Sequence, residues 1–287
     1  MAGRPRVSVV MPVFNERATI EEIIRRIQSV DTDKEIVIVD DGSTDGTREF
    51  LRTLAPPADG AREAEFPGGR PVIRAENIRV FFQLKNQGKG AALRRGFQEA
   101  RGEIVIIQDA DLEYDPRDYH QLIQPIEHGE ADAVYGSRFL GGPHRVLFFW
   151  HYLGNKLLTT LSDIFTDLNL SDVWTCYKAF RREALQELEL KENRFGFEQE
   201  ITIKIAKNGW RVYEVPISYH GRTYAEGKKI TWKDGFRALW CIMRYSFATA
   251  GRTRREPAGT LRDPQITLTE SVHERWEAVV SDAPKHG

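Results

Sequence analysis

Asp109-Ala110-Asp111-Leu112-Glu113 follows the apolar run Ile104-Val105-Ile106-Ile107, and this order of strand and then acids decides how the rest of the chain is read. Two carboxylates two positions apart, with a small residue between them, can leave a strand tip on the same side. Such a pair suits a hard divalent cation, and Mg²⁺ or Mn²⁺ prefers carboxylate and phosphate oxygens. In open α/β sheets ligands sit at the carboxyl ends of the strands, so acids delivered there point to a nucleotide–metal site. Taken alone the pair is a common loop feature, and solvated aspartates explain it equally well.

Outward from that strand the pattern repeats. Val7-Ser8-Val9-Val10-Met11 reads as a buried strand, and Ile20, Ile23, Ile24 and Ile27 give the apolar face of the helix after it. Glu35 to Val39 is a second strand, ending in Asp40-Asp41-Gly42-Ser43. Thr44 or Asp45 can cap the next helix, which runs to about Leu54. Residues 55–71 read as a Pro- and Gly-rich surface excursion. Ile78 to Phe82 is a strand, and Asn86-Gln87-Gly88-Lys89-Gly90 opens a helix that turns Ala92, Leu93, Gly96, Phe97 and Ala100 inward. Ala133-Val134-Tyr135 is a fifth strand, ending at Gly136-Ser137-Arg138. Strands alternating with helices imply right-handed crossovers and a mostly parallel sheet.

The second half is less regular. Val146 to Phe165 and Trp232 to Phe247 read as amphipathic helices, Glu198 to Asn208 as a short helix and Arg211 to Val215 as a strand. Residues 251–287 read as a polar tail without a packed core. The expected organisation is one domain over residues 1–250, with a nucleotide-sugar half at 7–138 and a smaller acceptor segment at 139–250.

Composition narrows the function. A formal net charge of −1 over 287 residues lacks the basic bias of a nucleic-acid binder. Two cysteines are too few for a disulfide framework and fit a reducing, cytoplasmic compartment. The run Val7 to Val13 contains Ser8 and Pro12, so it reads as a strand and not a signal sequence. No apolar stretch approaches the about 20 residues that span a bilayer, so the expectation is a soluble protein, at most peripheral at the inner face of a membrane.

Pro12-Val13-Phe14-Asn15-Glu16, Val39-Asp40-Asp41-Gly42-Ser43-Thr44-Asp45-Gly46, Asn86-Gln87-Gly88-Lys89-Gly90 and Asp109-Ala110-Asp111-Leu112-Glu113 occur in this order. Together they resemble the GT-A inverting glycosyltransferases of family 2, and most of all the branch of dolichol-phosphate mannose synthases and polyprenyl-phosphate glycosyltransferases. Gly136-Ser137-Arg138, Val215-Pro216-Ile217, Arg222 and Gly227-Lys228-Lys229-Ile230 agree. The likeness covers residues 7–235 or so. It implies a Rossmann-like, mostly parallel central sheet flanked by helices.

The resemblance also implies roles. Pro12, Phe14, Glu16, Val39 and Asp41 would contact the nucleotide, and Asp109 and Ala110 would lie beside the diphosphate. Asp111 and Glu113 would hold Mg²⁺ or Mn²⁺, with Asp109 acting directly or through water. Arg138, Arg222 and Lys229 would face the donor diphosphate or an acceptor phosphate. Phe14 stands where Tyr is common, Glu113 where Gln is common, and Lys228 where Ser is usual. These changes weaken one contact to the base, strengthen cation binding, and leave open which lysine meets phosphate.

The implied reaction is inverting transfer of a hexose from a nucleotide sugar, UDP-glucose or GDP-mannose, to a polyprenyl phosphate. A hydroxyl acceptor would instead need a carboxylate base, for which Asp172 and Glu200 are the candidates. A nucleotidyltransferase would carry a Gly-rich basic loop where Asn15-Glu16-Arg17-Ala18 stands, and a non-catalytic binding module would have lost the acids. Several positions keep a plainer reading. Lys89 can be a solvated lysine, Glu198 and Glu200 can serve a helix N-terminus, and Cys176 can be a small buried residue. Phe148-Phe149-Trp150-Tyr152 can meet a lipid or pack in the core. The helix over Trp232–Phe247 can lie at an interface or pack on the sheet.

Overall fold

The computed structural model describes residues 5–54, 73, 75–141, 145, 148–222 and 232–247, with side chains from 235 onward in the last of these segments. Residues 55–71, the tail at 251–287, Lys228 and Lys229 lie outside the described residues, so the expectations placed on them are not met or refused here.

The regular half follows from its apolar spacing. Strands β1 (Val7–Val13), β2 (Lys34–Asp40), β3 (Ile78–Phe82) and β4 (Ile104–Ile107) alternate with helices α1 (Ile20–Ser29), α2 (Thr47–Leu54) and α3 (Lys89–Glu99). Ile20, Ile23, Ile24 and Ile27 of α1 are fully buried, each contributing about 1.5–3 kcal/mol of apolar transfer. Of the two capping candidates Asp45 meets the helix, its Oδ1 accepting at 3.0 Å from the amide of Thr47, the first residue of α2.

The later elements are α4 (Tyr119–Glu127), β5 (Ala133–Ser137), α5 (Phe149–Thr166), β6 (Lys178–Arg181), α6 (Arg182–Gln186), α7 (Phe197–Lys207), β7 (Val212–Pro216) and α8 (Trp232–Phe247). One seven-stranded sheet has the order β3-β2-β1-β4-β6-β5-β7. Only β6 is reversed, pairing antiparallel with both β4 and β5. Neither β6 nor the short α6 was expected.

Successive residues alternate between two cores, as a pleated strand requires. Val9, Met11, Ile36, Ile38, Ile104 and Ile106 face one core with α1, α2 and α4. Val10, Val37, Val105 and Ile107 face the other with α3, α6 and α7. The carboxyl ends of the six parallel strands therefore share one edge. The strand order reverses between β1 and β4, which is where such sheets open a crevice.

Candidate active site

A pocket of about 510 Å³ opens at that crevice. Its β1 side carries Pro12, Phe14 and Glu16, with Asp41 from the end of β2. Its β4 side carries Asp109, Ala110, Asp111 and Glu113, and Arg138 and Arg222 also line it. Of the nucleotide contacts expected from the sequence, Val39 is the exception. It is fully buried inside the sheet, paired in register with Pro12, and does not line the pocket.

The acids are bent into the pocket by Leu112, whose φ of 64° lies in the left-handed region and costs a residue with a Cβ about 1–2 kcal/mol. They are partly buried and each is paired with a cation. Lys89 Nζ lies 2.7 Å from Asp109 Oδ1, which corrects the reading of Lys89 as a solvated lysine. Arg222 donates from Nη2 to Asp111 at 2.7 Å and from Nε to Glu113 at 3.1 Å, and its Nη1 stands 3.6 Å from Glu16. The segment carrying Arg222 is tied to the acid loop: the His220 amide donates to Glu113 O at 2.9 Å, and Tyr219 forms a bridge with Tyr114.

This donor set suits a hard cation in its chemistry, being three carboxylates on one loop. Burial, with repulsion from Asp109 and Glu113, pushes the Asp111 carboxyl up to about 7 despite Arg222. Such excess negative charge is what a divalent ion relieves. The carboxylates are nonetheless divided between Lys89 and Arg222. Among the described residues no group of three or more His, Cys, Asp or Glu side chains is gathered to hold an ion.

Arg138 is held differently. Its Nε and Nη2 donate to the two oxygens of Asp172 at 2.6 and 2.8 Å, and Asn155 Nδ2 donates to the same carboxylate at 3.1 Å. Burial raises the Asp172 carboxyl, but Arg138 outweighs it and holds the group below the usual range. Asp172 therefore positions Arg138 and is not free to act as a base. Glu200, the other base candidate, is fully buried. It accepts from the amides of Lys191 and Glu192 and from Lys204 Nζ, and it does not line the pocket. Glu198 and Glu200 both stand in the first turn of α7, as the helix-end reading expects, and Glu198 also forms a buried ion pair with Lys178.

Asp40 and Asp41 divide the work of their turn. Asp40 accepts from the Ser43 amide and Arg48. Asp41 accepts from the amides of Gln87 and Gly88 at 2.8 and 2.7 Å, fixing the loop that presents Lys89. Gly88 and Gly90 are required there because a Cβ on either would come within 2.3 Å of the carbonyl oxygens of Asn193 and Glu192.

Sequence reasoning did not find Tyr114, Tyr219, Arg194 or Phe195 on the pocket wall. Tyr114 stacks on Tyr177 at 5.0 Å and meets Tyr219 at 5.5 Å, and Tyr219 carries the Arg138 guanidinium 5.0 Å from its ring centre. The run Tyr114-Asp115-Pro116 after the acids was the available signal. Trp174 and Cys176 line the pocket too. The Trp174 indole N–H is buried without a partner among the described residues. Burial and then Asp109 raise the Cys176 thiol far above its ordinary range, so it is no thiolate nucleophile.

Glycosyl transferase family 2 is matched over residues 8–189, and the chain belongs to that family. It is 31% identical over 78% of its length to a dolichol-phosphate mannosyltransferase of Pyrococcus furiosus. It is 29% identical over 78% to a polyprenol monophosphomannose synthase of Mycolicibacterium smegmatis. The chain spans 80% of the mycobacterial relative but only 34–59% of the length of three other curated relatives, the Pyrococcus protein among them. Its fold is shared with glucosyl-3-phosphoglycerate synthase of Mycobacterium tuberculosis, solved with Mn²⁺, UDP and glucosyl-3-phosphoglycerate. That likeness has a TM-score of 0.62 at 22% identity, covering 87% of this chain and 82% of that one. The architecture is GT-A.

Proposed function

We propose that the chain transfers a hexose, with inversion, from a nucleotide sugar to a polyprenyl phosphate. The names of the Pyrococcus and Mycolicibacterium relatives specify mannose, so GDP-mannose is the first donor to try and UDP-glucose the second. The observation that carries the acceptor is the commitment of both base candidates. Asp172 is bound to Arg138 and Asn155, and Glu200 to backbone amides and Lys204. A hydroxyl acceptor needs a base, whereas a phosphate monoester arrives already anionic.

Asp109, Asp111 and Glu113 would hold Mg²⁺ or Mn²⁺, which when bound offsets the charge on a departing diphosphate. Lys89 keeps Asp109 in place for this. Arg222 would leave Asp111 and Glu113 and turn to a phosphate, for which a guanidinium is a bidentate partner. Arg138, fixed by Asp172, would orient the acceptor phosphate. Pro12, Phe14, Glu16 and Asp41 would seat the nucleoside.

A lipid acceptor implies contact with a membrane. Among the described residues no helix is long and apolar enough to cross one. Helix α5 exposes Phe149, Trp150, Leu157 and Ile164, and α8 exposes Phe236, Trp240, Met243 and Phe247. Phe165 of α5 meets Phe247 of α8 edge-on at 5.7 Å, so the two helices adjoin. Their exposed apolar side chains, which are larger in sum than isolated surface hydrophobics, favour a peripheral place on a bilayer. The opposite face of α8 buries Ala238, Cys241 and Ile242, so interface and packing share this helix.

The test crosses GDP-mannose and UDP-glucose with a short polyprenyl phosphate in Mn²⁺ or Mg²⁺, with Asp111→Ala as control. Sugar on the lipid phosphate, lost in the variant, is the expected result. Donor hydrolysis without lipid product would move the acceptor to a hydroxyl compound, and no turnover of either donor would end the transferase reading.

A further inference from the structure

The segment 191–195 has two sides. Arg194 and Phe195 wall the pocket described above, and the same two residues wall a second cavity of about 500 Å³ against α8. That second lining bears four cations, Lys191, Arg194, Arg237 and Arg244, and one carboxylate, Glu192. Glu192 is already occupied, by Arg237 Nη2 at 2.8 Å and the Tyr245 hydroxyl at 3.0 Å. Lys191 has Glu189 at 3.2 Å, where both are exposed. Among the described residues no carboxylate pairs with Arg194 or Arg244.

The unmatched charge borders an apolar surface. Trp240 of α8 lies between Arg237 and Arg244, their guanidinium carbons 4.2 and 4.7 Å from its ring. Trp240 is 42% exposed, and Phe236, Met243 and Phe247 stand exposed on the same helix. A cationic cavity for a small soluble anion needs no such neighbours. An amphiphile with an anionic head matches both parts, and tryptophan beside arginine is a favoured pairing at the headgroup level.

We propose that this second cavity receives the phosphodiester headgroup of an anionic phospholipid while Phe236, Trp240, Met243 and Phe247 enter the acyl region. The proposal rests on the peripheral-membrane reading above and adds a lipid-selective site to it. Because Arg194 and Phe195 wall both cavities, a lipid bound there sets the mouth of the active site against the bilayer.

The experiment is flotation of the full chain, without nucleotide sugar, on vesicles of phosphatidylcholine alone and of phosphatidylcholine with phosphatidylglycerol. The wild type should bind the anionic vesicles at least about 25-fold more tightly, the share of two arginines alone. Each juxtamembrane arginine is worth about 1 kcal/mol, or roughly fivefold, so Arg194→Gln with Arg244→Gln should weaken binding to anionic vesicles about 25-fold and hardly change binding to neutral ones. Arg95→Gln with Arg101→Gln, the same charge change on and just after α3, should have little effect. Equal loss in both double variants would overturn the cavity in favour of general charge attraction. Wild-type binding that ignores phosphatidylglycerol would overturn the headgroup site and leave the apolar face standing, while binding to neither vesicle would remove both. Release from anionic vesicles by millimolar inorganic phosphate, at constant ionic strength, would show a small-anion site and not a lipid site.

Discussion

Two guanidiniums meet carboxylates on the walls of one pocket, with opposite results. Arg138 and Asp172 form a closed pair: Asp172 is fully buried, both its oxygens are bonded, and its acidity is strengthened. Arg222 faces three carboxylates, with Asp111 and Glu113 each 15% exposed in the side chain, and Asp111 is left weakly acidic. The difference is one of stoichiometry and access. One cation to one carboxylate, sealed from water, makes a fixed strut, because breaking it strands a charge. One cation among several partly wetted carboxylates leaves a deficit of positive charge that a better cation can fill. The first arrangement is a fixed pair, and the second, on the function proposed above, is the one that would yield to an ion.

That contrast can be broken by mutation. Asp111→Ala removes the acid at the centre of the open cluster and should lower transfer by at least about 10³-fold, measured as single-turnover product on lipid phosphate; activity near wild type would take Asp111 out of the site. Asp172→Ala strands Arg138 and should lower unfolding free energy by about 3–5 kcal/mol, read from urea titration, whereas a loss below about 1 kcal/mol would mean the pair is not closed. Arg222→Gln should do the reverse of damage in one respect. Ligand-free protein should bind Mn²⁺ about tenfold more tightly by paramagnetic resonance, since the ion no longer competes with a charge-assisted hydrogen bond. Weaker Mn²⁺ binding would show that Arg222 assists the ion. Trp174→Phe deletes a buried N–H that has no partner among the described residues. It should lower kcat/KM about fivefold with stability unchanged, and an unchanged kcat/KM would show that the indole does not bind substrate.

The sequence was legible where one physical rule dominated. Alternating apolar strands and amphipathic helices up to Ser137 placed β1 to β5, and the polar strand ends marked the edge where the pocket lies. The rule failed at β6 because its four residues begin with Lys178. A lysine in a strand reads as exposed, and only a distant Glu198, brought back by α7, makes its burial tolerable. Lys89 was misread for the same reason, since its partner Asp109 is twenty positions away in the chain. Asp172 and Arg194 sit in loops, where nothing in local spacing tells a strut from a solvated charge. Val39 was carried over from the resemblance, but the strand extends one residue further than its apolar run, and the pocket begins at Asp41.

The reversed strand has a consequence for how the chain is made. β1, β2, β3 and β4 pair only with one another until β6 arrives, so these four strands can settle as a sheet while later elements are still being synthesised. β5 has no such neighbour: both strands that flank it, β6 and β7, follow it in the chain. From residue 137 until residue 178 leaves the ribosome, β5 waits with two open edges, and α5 with its apolar side chains emerges in that interval. Open edges and uncovered apolar surface invite wrong partners. The stretch from β5 through α5 is thus the part of the nascent chain that most needs a chaperone or a membrane surface at hand.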